Sequence, residues 1–211
     1  MSEAKRAHWD GVYGRRSLND VSWYEAEPTR SLELIHASGV GREASIIDIG
    51  GGASFLVDRL LSEGYHELTV LDISSEVLRK LRERLGPSAE RVTLLQADVT
   101  DFRPTRRYGL WHDRAVFHFL VDQSERARYV AVLKQALEPG GHVIIATFGP
   151  EGPERCSGLA VQRSTAESLT QALGPDFALA ESFLDMHHTP SGASQQFLFC
   201  RFRYEPGSFS R

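Results

Sequence analysis

The amino-acid sequence predicts an α/β fold in which helices cover a mostly parallel sheet. The prediction rests on short β-rich runs that alternate with helical patterns through the middle of the chain, the arrangement typical of a parallel sheet covered by helices. The composition agrees, because 41% hydrophobic and 25% charged residues over 211 positions are typical of one globular domain. We therefore expect a single domain spanning residues 1–211.

Charge and composition exclude several classes of protein. The chain carries 24 Lys and Arg against 28 Asp and Glu, a formal charge of −4, so no overall cationic field favours nucleic acid. No apolar run approaches the roughly 20 residues that cross a bilayer, and the N-terminus lacks the apolar core of a secretory signal. The two cysteines, Cys156 and Cys200, show no metal-like spacing. We expect reduced thiols, no metal, no nucleic-acid or membrane partner, and a cytoplasmic location.

Two short helices are expected before the first β-rich run. Apolar and aromatic spacing predicts them over Lys5–Tyr13 and Pro28–Ala37, with Gly39 ending the second. Both fall in residues 1–40, which we interpret as an N-terminal helical lid.

The central part of the chain, residues 45–148, is predicted to hold the parallel strands. Its β-rich runs are Ser45–Ile49, Leu68–Leu71, Val92–Gln96, Tyr108–Phe119 (strand, then loop) and His142–Phe148. Between them we expect helices over Ala53–Glu63, over a segment with Val77, Leu78, Leu81 and Leu85 on one face, and after Asp122, whose spacing to Glu125 is typical of a capping box. We interpret this part as the ligand-binding core.

Residues 149–204 follow a different pattern and are expected to lie on the substrate side. A loop rich in glycine and proline runs to about Arg163, and Ser164 with Glu167 is expected to start one more helix. Two β-rich runs, Phe177–His187 and Gln195–Tyr204, then predict a closing hairpin.

A glycine turn surrounded by aspartates is the main chemical signal. Gly50, Gly51 and Gly52 follow the first strand, where bare backbone lets a ligand approach closely. Asp72 and Asp98 come at the ends of the next two runs, where a carboxylate can accept hydrogen bonds from ribose hydroxyls or meet an adenine edge. An acidic turn without Lys or Arg disfavours a polyphosphate, so the pattern predicts a nucleoside ligand.

Five sequence motifs, and the order in which they follow one another, resemble those of class I S-adenosylmethionine-dependent methyltransferases. They are Asp48-Ile49-Gly50-Gly51-Gly52, Asp72-Ile73-Ser74, Gln96-Ala97-Asp98-Val99, Phe117-His118-Phe119-Leu120 and Leu137-Glu138-Pro139-Gly140-Gly141. The resemblance implies a Rossmann-like, doubly wound, mostly parallel seven-stranded sheet whose terminal hairpin strand is antiparallel. It also implies S-adenosyl-L-methionine as cofactor and S-adenosyl-L-homocysteine as product.

The same resemblance implies roles for individual residues. Asp48, Gly50 and Gly52 would cradle the methionine part, Asp72 with its neighbour Ile73 would bind the ribose, and Asp98 with Val99 would flank adenine. Asp113, which opens a stretch faintly similar to the Asp-Lys-Gly-Thr of some protein-lysine methyltransferases, is included in the expected cofactor site.

Aromatic residues near the N-terminus are candidates for the rest of the site. Tyr13 and Trp23 are expected near the cofactor, and Trp9 and Tyr24 near the substrate, where rings can attract a sulfonium; the alternative is that they only dock a helix on the sheet. His118 is the candidate catalytic base, unless it only bonds to nearby backbone. Cys156 is a candidate substrate contact or an inert loop cysteine.

The expected function is transfer of a methyl group from S-adenosylmethionine to a small-molecule acceptor by in-line displacement. A protein methyltransferase acting on lysine or another side chain is the first alternative, and a non-catalytic nucleoside-binding module or nucleotide-dependent oxidoreductase the second. The chain lacks the Asn/Asp-Pro-Pro-Tyr sequence of amino-methylating nucleic-acid and glutamine enzymes, which disfavours that reaction.

Overall fold

The fold is given by a computed structural model that describes residues 3–15 and 17–207; residues 1, 2, 16 and 208–211 of the expected domain lie outside the described part. The helices are α1 (Glu3–Arg15), α2 (Thr29–Ser38), α3 (Leu56–Ser62), α4 (Ser75–Leu85), α5 (Gln123–Ala136) and α6 (Ala166–Leu173). The strands are β1 (Ile46–Ile49), β2 (Leu68–Asp72), β3 (Val92–Gln96), β4 (Tyr108–Arg114), β5 (Leu137–Phe148), β6 (Arg155–Cys156), β7 (Leu159–Ala160), β8 (Phe177–His188) and β9 (Ser194–Tyr204).

The main sheet has seven strands in the order β3-β2-β1-β4-β5-β9-β8. Strands β1 to β5 pair in parallel, and β9 pairs antiparallel with both β5 and β8. The expected Rossmann-like sheet with an antiparallel terminal hairpin is therefore confirmed. Strand order reverses beside β1, which has β2 on one side and β4 on the other, so a ligand crevice is expected at the carboxyl ends of these strands.

Apolar clusters cover both faces of the sheet. One face packs α5 and α6 around Trp111, Tyr129 and Phe202, and the other packs α2, α3 and α4 around Ile35 and Leu60. All residues of β1 and β2 are buried, as in strands covered on both sides. The sheet is thus a rigid base for the strand ends.

Some predicted boundaries were wrong for local reasons. The helix expected from Ala53 begins at Leu56, because Gly51–Ala53 form a separate tight turn and the Ser54 hydroxyl accepts the Leu56 N–H at 3.0 Å. Strand β5 begins at Leu137, ahead of the predicted His142, through an irregular register beside β4. The 149–163 loop contains the β6–β7 hairpin, which the sequence did not predict.

Three observations concern the cysteines, the metal-ligating side chains and the helices of the described residues. Cys156 and Cys200 are both free and buried. Within residues 3–15 and 17–207, no group of three or more His, Cys, Asp or Glu side chains is placed to hold a metal ion. In the same described part, no helix combines the length and apolar character needed to span a bilayer.

The start of α6 differs by one residue from the sequence prediction. Thr165, rather than Ser164, occupies the cap position: its hydroxyl accepts the Ser168 N–H at 3.1 Å, and the Ser168 hydroxyl accepts the Thr165 N–H at 2.9 Å. Ser164 instead donates its backbone N–H to the Phe148 carbonyl of β5. The reciprocal bonds of a capping box therefore begin one position later.

Replacing Thr165 with alanine should lower the free energy of unfolding by about 1 kcal/mol, because the substitution removes the hydroxyl that accepts the Ser168 N–H. Ser164→Ala is the matched control and should cost less, since its hydroxyl makes none of the cap bonds. Urea unfolding of the two variants measures the difference. Equal losses would contradict the assignment of the cap.

Candidate functional site

A cavity of about 320 Å³ opens at the carboxyl ends of β1 to β4. Its lining comprises strand-end and loop residues together with side chains of α1 and of the segment 17–28, which we call the N-terminal segment. The lining residues are Lys5, Trp9, Tyr13, Trp23, Ile49, Gly50, Leu71, Asp72, Ile73, Ala97, Asp98, Val99, Arg114, Ala115, Val116, Phe119, Leu120, Val121, Glu125, Leu159 and Ala160. The crevice expected from the strand order is thus present.

The glycine turn after β1 leaves no room for side chains. Gly50 has a φ of +67°, and a Cβ there would lie 2.3 Å from Val116 Cγ2. A Cβ at Gly51 would lie 2.2 Å from Asp48 Oδ2. The backbone therefore touches Asp48 and Val116 directly, and Gly51, which was not among the predicted site residues, belongs to this contact.

Asp72 lines the cavity at the end of β2, as the sequence predicted. Its two oxygens accept the backbone N–H groups of Gly52, at 3.3 Å, and Ser74, at 2.9 Å. Burial raises the pKa of Asp72 to about 7, although these hydrogen bonds lower it. Each oxygen keeps a lone pair beyond its backbone bond, so the carboxylate can accept two further donors.

The residues predicted to flank adenine also line the cavity. Asp98 follows β3, and its Oδ1 accepts the backbone N–H of Thr100 at 3.0 Å and the hydroxyl of Thr100 at 2.8 Å. Ile73 and Val99 complete this end with apolar surface. A flat apolar ring with a polar edge suits such surroundings.

Asp48 faces a second, smaller cavity of about 20 Å³ beside the first. Its Oδ1 lies 2.7 Å from His112 Nδ1, and His112 Nε2 lies 2.9 Å from the Ser31 hydroxyl. The other carboxylate oxygen, Oδ2, is buried and has no hydrogen-bond partner. Such an orphaned acceptor fits a cationic group such as an ammonium. Sequence reasoning missed His112 and Ser31, which α2 and β4 bring together across 81 positions.

Aromatic rings cover the larger cavity from the N-terminal side. Trp9, Tyr13 and Trp23 all line it, and the Trp9 ring stands edge-on to Phe119 with 5.1 Å between centroids. Burial raises the pKa of the Tyr13 phenol well above its ordinary value, so the group stays protonated. Tyr24 lines the smaller cavity instead, against Phe55.

Helix α1 is tied to helices α4 and α5 by polar contacts. Asp10 Oδ1 accepts the Ser74 hydroxyl at 2.6 Å and the Glu76 N–H at 3.3 Å, both at the start of α4. Lys80 donates to the Tyr13 carbonyl, and Lys5 pairs with Glu125. These bonds hold the aromatic rings of α1 over the strand ends.

Asp113 does not face either cavity, so its predicted cofactor contact is not supported. One oxygen accepts the backbone N–H groups of Val116 and Phe117, at 3.0 and 3.2 Å, and the other accepts the Tyr129 hydroxyl at 2.7 Å. Burial raises the pKa of this carboxyl to about 6. Asp113 shapes the loop after β4, where Ala115 has a left-handed φ of +68°.

The geometry also argues against His118 as a catalytic base. Its ring is fully buried, lines neither cavity and packs against Phe119 and Phe148. Burial and the charge of Arg114 lower the pKa of His118 to about 3, and neither ring nitrogen has a hydrogen-bond partner. The alternative, a ring bonded to nearby backbone, is not seen either. Cys156 is likewise buried and outside both linings, so the predicted substrate contact is not supported.

Arg114 and Glu25 form a partly buried ion pair that sequence reasoning did not single out. Arg114 Nη2 lies 2.7 Å from Glu25 Oε1, and Nη1 donates to the Trp23 carbonyl at 2.8 Å. Burial raises the pKa of Glu25 and lowers that of Arg114, while the opposite charge of each partner acts against these shifts. Since 89 positions separate the partners, no local pattern could have revealed the contact.

Comparisons with known proteins agree with this geometry. Residues 46–141 match the family described as methyltransferase domain. The chain is 24% identical over 148 residues to malonyl-[acyl-carrier protein] O-methyltransferase 1 of Ilyobacter polytropus, covering 70% of this chain and 53% of that protein. It is 22% identical over 213 residues to the eEF1A lysine and N-terminal methyltransferase of Mus musculus, covering 92% of this chain and 30% of that protein. The chain thus spans about half the length, or less, of these relatives.

Solved structures share the fold. NodS, an N-methyltransferase of Bradyrhizobium japonicum in complex with S-adenosylhomocysteine, superposes with a TM-score of 0.70 at 19% identity, covering 92% of this chain and 97% of NodS. A second structure was solved in work on the conversion of a disulfide bond into a thioacetal group during echinomycin biosynthesis. It superposes with a TM-score of 0.78 at 16% identity, covering 98% of this chain and 95% of that chain. At these identities the likeness establishes the fold.

Fold and strand-end cavity together define an α/β domain with a crevice whose lining suits a nucleoside. Residues 46–141 match the methyltransferase-domain family, and solved S-adenosylmethionine-dependent methyltransferases share the fold, in agreement with the resemblance seen in the motifs. S-adenosylmethionine is the methyl donor of this class. The orphaned Asp48 oxygen, the two unblocked acceptors of Asp72 and the side-chain-free turn fit that molecule.

Replacing Gly51 with alanine should destabilise the protein by about 1–3 kcal/mol, because the new Cβ would displace the Asp48 carboxylate. Affinity for S-adenosylhomocysteine should fall as well. Gly41→Ala is the matched control, since no atom lies within 4 Å of a Cβ there. Urea unfolding and calorimetric titration measure both effects, and wild-type values for Gly51→Ala would contradict the described contact.

Asp72 should make the ligand-free protein less stable as the pH rises. Its folded-state pKa of about 7 exceeds the unfolded 3.8, so the stability contributed by the protonated form is complete below pH 3.8 and is lost as the pH rises to about 7. Asn cannot ionise, so its stability should not fall in this way. Between pH 4 and pH 8 the free energy of unfolding of Asp72→Asn, relative to that of the wild type, should therefore increase by up to about 4 kcal/mol. Asp20→Asn, at an exposed position, controls for the lost charge. Urea unfolding at several pH values tests this, and parallel curves for Asp72→Asn and wild type would contradict it.

Proposed function

We propose that this protein transfers a methyl group from S-adenosylmethionine to a small-molecule acceptor by in-line displacement. The observation that carries the proposal is the cavity itself, in which buried carboxylates on the ends of neighbouring strands lie opposite aromatic rings from the N-terminal side. The carboxylate oxygens can accept hydrogen bonds from ribose hydroxyls, and the aromatic rings can attract a positively charged sulfur. The lining therefore matches a cationic nucleoside better than a polyphosphate.

Individual residues are assigned on this basis. Asp72 accepts both ribose hydroxyls, while Asp98 and Val99 meet adenine. Trp9, Tyr13 and Trp23 cover the sulfonium. These assignments are supported by position in the lining and by the unfilled acceptor sites on the carboxylates. Tyr24 is assigned to the smaller cavity beside Asp48.

Catalysis in this site depends on alignment and on the exclusion of water. When bound, S-adenosylmethionine supplies an electrophilic methyl group on a sulfonium. Trp9, Phe119 and Leu159 give part of the cavity wall an apolar surface without a base, and the nearest carboxylate of α5 in the lining, Glu125, is paired with Lys5. The chain's contribution is then to hold the acceptor atom in line and keep the surroundings dry. A proton on the acceptor leaves without help from His118, whose ring does not reach the cavity.

A small acceptor is favoured by the enclosure of the cavity. Helix α1, the N-terminal segment and the β6–β7 hairpin all contribute to its rim. We therefore retain the division into an N-terminal helical lid over residues 1–40, a cofactor-binding core over 45–148 and a substrate side over 149–204. The Ilyobacter relative is named for an acyl-carrier-protein-linked acceptor, which agrees with a small methylated group.

A protein acceptor is the second candidate. The mouse relative, named for eEF1A lysine and N-terminal methylation, aligns with 92% of this chain. Exposed apolar side chains, Leu184 and Met186 on β8, also offer surface for a partner. The two candidates differ in whether the methyl group is transferred to a small molecule or to a protein.

Two measurements test the proposal. Titration calorimetry should show S-adenosylhomocysteine binding, weakened about 10- to 100-fold by Asp72→Ala, because hydrogen bonds to a charged group are lost. Asp58→Ala is the matched control, a carboxylate on α3 that pairs with Arg84 outside both cavities. Unchanged affinity in Asp72→Ala would contradict the assigned role.

The acceptor is tested by incubating the protein and labelled donor with a metabolite library and, separately, with a cell lysate. We expect label in a small product. Label confined to protein bands would favour the second candidate, and binding of the donor without turnover in either mixture would indicate a nucleoside-binding module.

A further inference from the structure

Apolar side chains from outside the sheet make up a large share of the lining of the larger cavity. They come from α1, from the loop after β4 and from the β6–β7 hairpin, and we call them the apolar wall: Trp9, Phe119, Leu120, Val121, Leu159 and Ala160. Val121 is 47% exposed, so the wall reaches the protein surface there. The strand-end carboxylates are assigned to the donor, which leaves the apolar wall for the acceptor. An acceptor with an apolar body gains most from that contact.

The groups of this lining that could accept a proton are already engaged. Of its three carboxylates, Asp72 and Asp98 are assigned to the donor, and Glu125 pairs with Lys5. The Tyr13 phenol stays protonated, because burial raises its pKa. Among the described residues that line the cavity, no uncommitted base is then left to deprotonate the acceptor. The acceptor atom must therefore arrive with its lone pair available.

This requirement favours sulfur over nitrogen and oxygen. Near pH 7, a thiol with a pKa of about 8.5 is about 3% thiolate, whereas an amine with a pKa of about 10.4 is only about 0.04% neutral. Alcohols are weaker nucleophiles than thiols unless a base activates them. A carboxylate is ionised, but its burial against apolar side chains is costly because it loses its hydration.

Apolar surroundings also favour a reaction that removes charge. When a thiolate attacks a sulfonium, an anion and a cation become two neutral thioethers, which need no water to stabilise them. Attack by an amine instead leaves a positive charge on the product. Thioether sulfur also packs favourably against the edges of aromatic rings. Trp9 and Phe119, which stand edge-on with 5.1 Å between their centroids, offer such edges in the apolar wall.

We propose that the acceptor is a small thiol with an apolar body, methylated on sulfur as its thiolate. This inference rests on the proposed function and names the class of its acceptor. The thiol releases its proton to solvent before the attack. A lone pair of the thiolate forms the new bond to the methyl carbon while the bond from that carbon to the sulfonium breaks. The electron pair of the broken bond stays on the donor sulfur, which leaves as S-adenosylhomocysteine.

Four probes that share a benzyl body test the identity of the acceptor atom: benzyl mercaptan, benzylamine, benzyl alcohol and phenylacetate. Each is incubated with the protein and S-adenosylmethionine, the methylated product is measured by mass spectrometry, and the rate without protein is subtracted. We expect kcat/KM for benzyl mercaptan to exceed that for each other probe at least about tenfold, since the thiol supplies the largest fraction of a strong nucleophile. An equal or higher value for another probe, or no turnover of the thiol, would overturn the inference.

The pH profile tests whether the thiolate is the reacting form. At saturating donor, kcat/KM for a thiol should level off near the pKa of that thiol, so thiophenol, the more acidic probe, should reach its plateau at a lower pH than benzyl mercaptan. A titrating protein group such as Asp72 would give both thiols the same profile. Identical profiles would therefore contradict the thiolate step.

A variant of the apolar wall tests where the acceptor binds. Leu159→Gln should lower kcat/KM for benzyl mercaptan roughly tenfold and leave the affinity for S-adenosylhomocysteine within about twofold, because only the acceptor loses apolar contact. Leu179→Gln is the matched control, an exposed leucine of β8 outside both cavities, and should change neither value. Unchanged turnover in Leu159→Gln, or an equal loss of affinity for S-adenosylhomocysteine, would overturn the assignment of the wall to the acceptor.

Titration of the wild-type protein with S-adenosylhomocysteine separates this inference from the proposed function. If S-adenosylhomocysteine does not bind, the proposed function itself fails. If it binds and the amine, the alcohol or the carboxylate is methylated in place of the thiol, only the thiol assignment fails.

Discussion

The close approach of two chain segments at the glycine turn is the constraint on which the site depends. Asp48 lies against Gly51 and Val116 lies against Gly50, at distances that no Cβ could share. This contact sets β1 and the loop after β4 side by side. Because Arg114 ends β4 and Phe119 lies in the loop that follows, the borders of both cavities depend on this contact.

Buried charge is the second organising feature, and it works against stability. Asp72, Asp113 and Glu25 all have raised pKa values caused first by burial, so the fold bears a cost when these groups ionise. Asp113 recovers part of that cost through its bonds to Tyr129 and the backbone. Asp72 keeps unfilled acceptor sites, which is typical of a group that a ligand completes.

The sequence was sufficient for the sheet and for residues whose position depends on strand ends. Alternation of β-rich runs and helices fixed the order of elements, and Asp72, Asp98 and Gly50 lie at the cavity because parallel strands end at one edge. The positions of residues in the loops beyond a strand end could not be predicted in the same way. Asp113 and His118 flank a left-handed Ala115, and that turn directs both side chains inward.

Contacts between distant segments had no signal in a single sequence. Arg114 with Glu25, and His112 with Ser31, are joined only by tertiary packing. The cap of α6 was missed for a local reason, since Ser164 and Thr165 are chemically alike and only the path of the backbone from β5 decides between them.

The hydrogen bonds of Asp10 connect helix α1 to Asp72 through Ser74. Asp10 accepts from the Ser74 hydroxyl, and the Ser74 backbone N–H in turn donates to Asp72. Ser74 therefore contacts both α1 and the carboxylate at the end of β2, so a displacement of Asp10 would remove a hydrogen bond from the residue that donates to Asp72. The position of α1 and the orientation of Asp72 are coupled through this one serine at the start of α4.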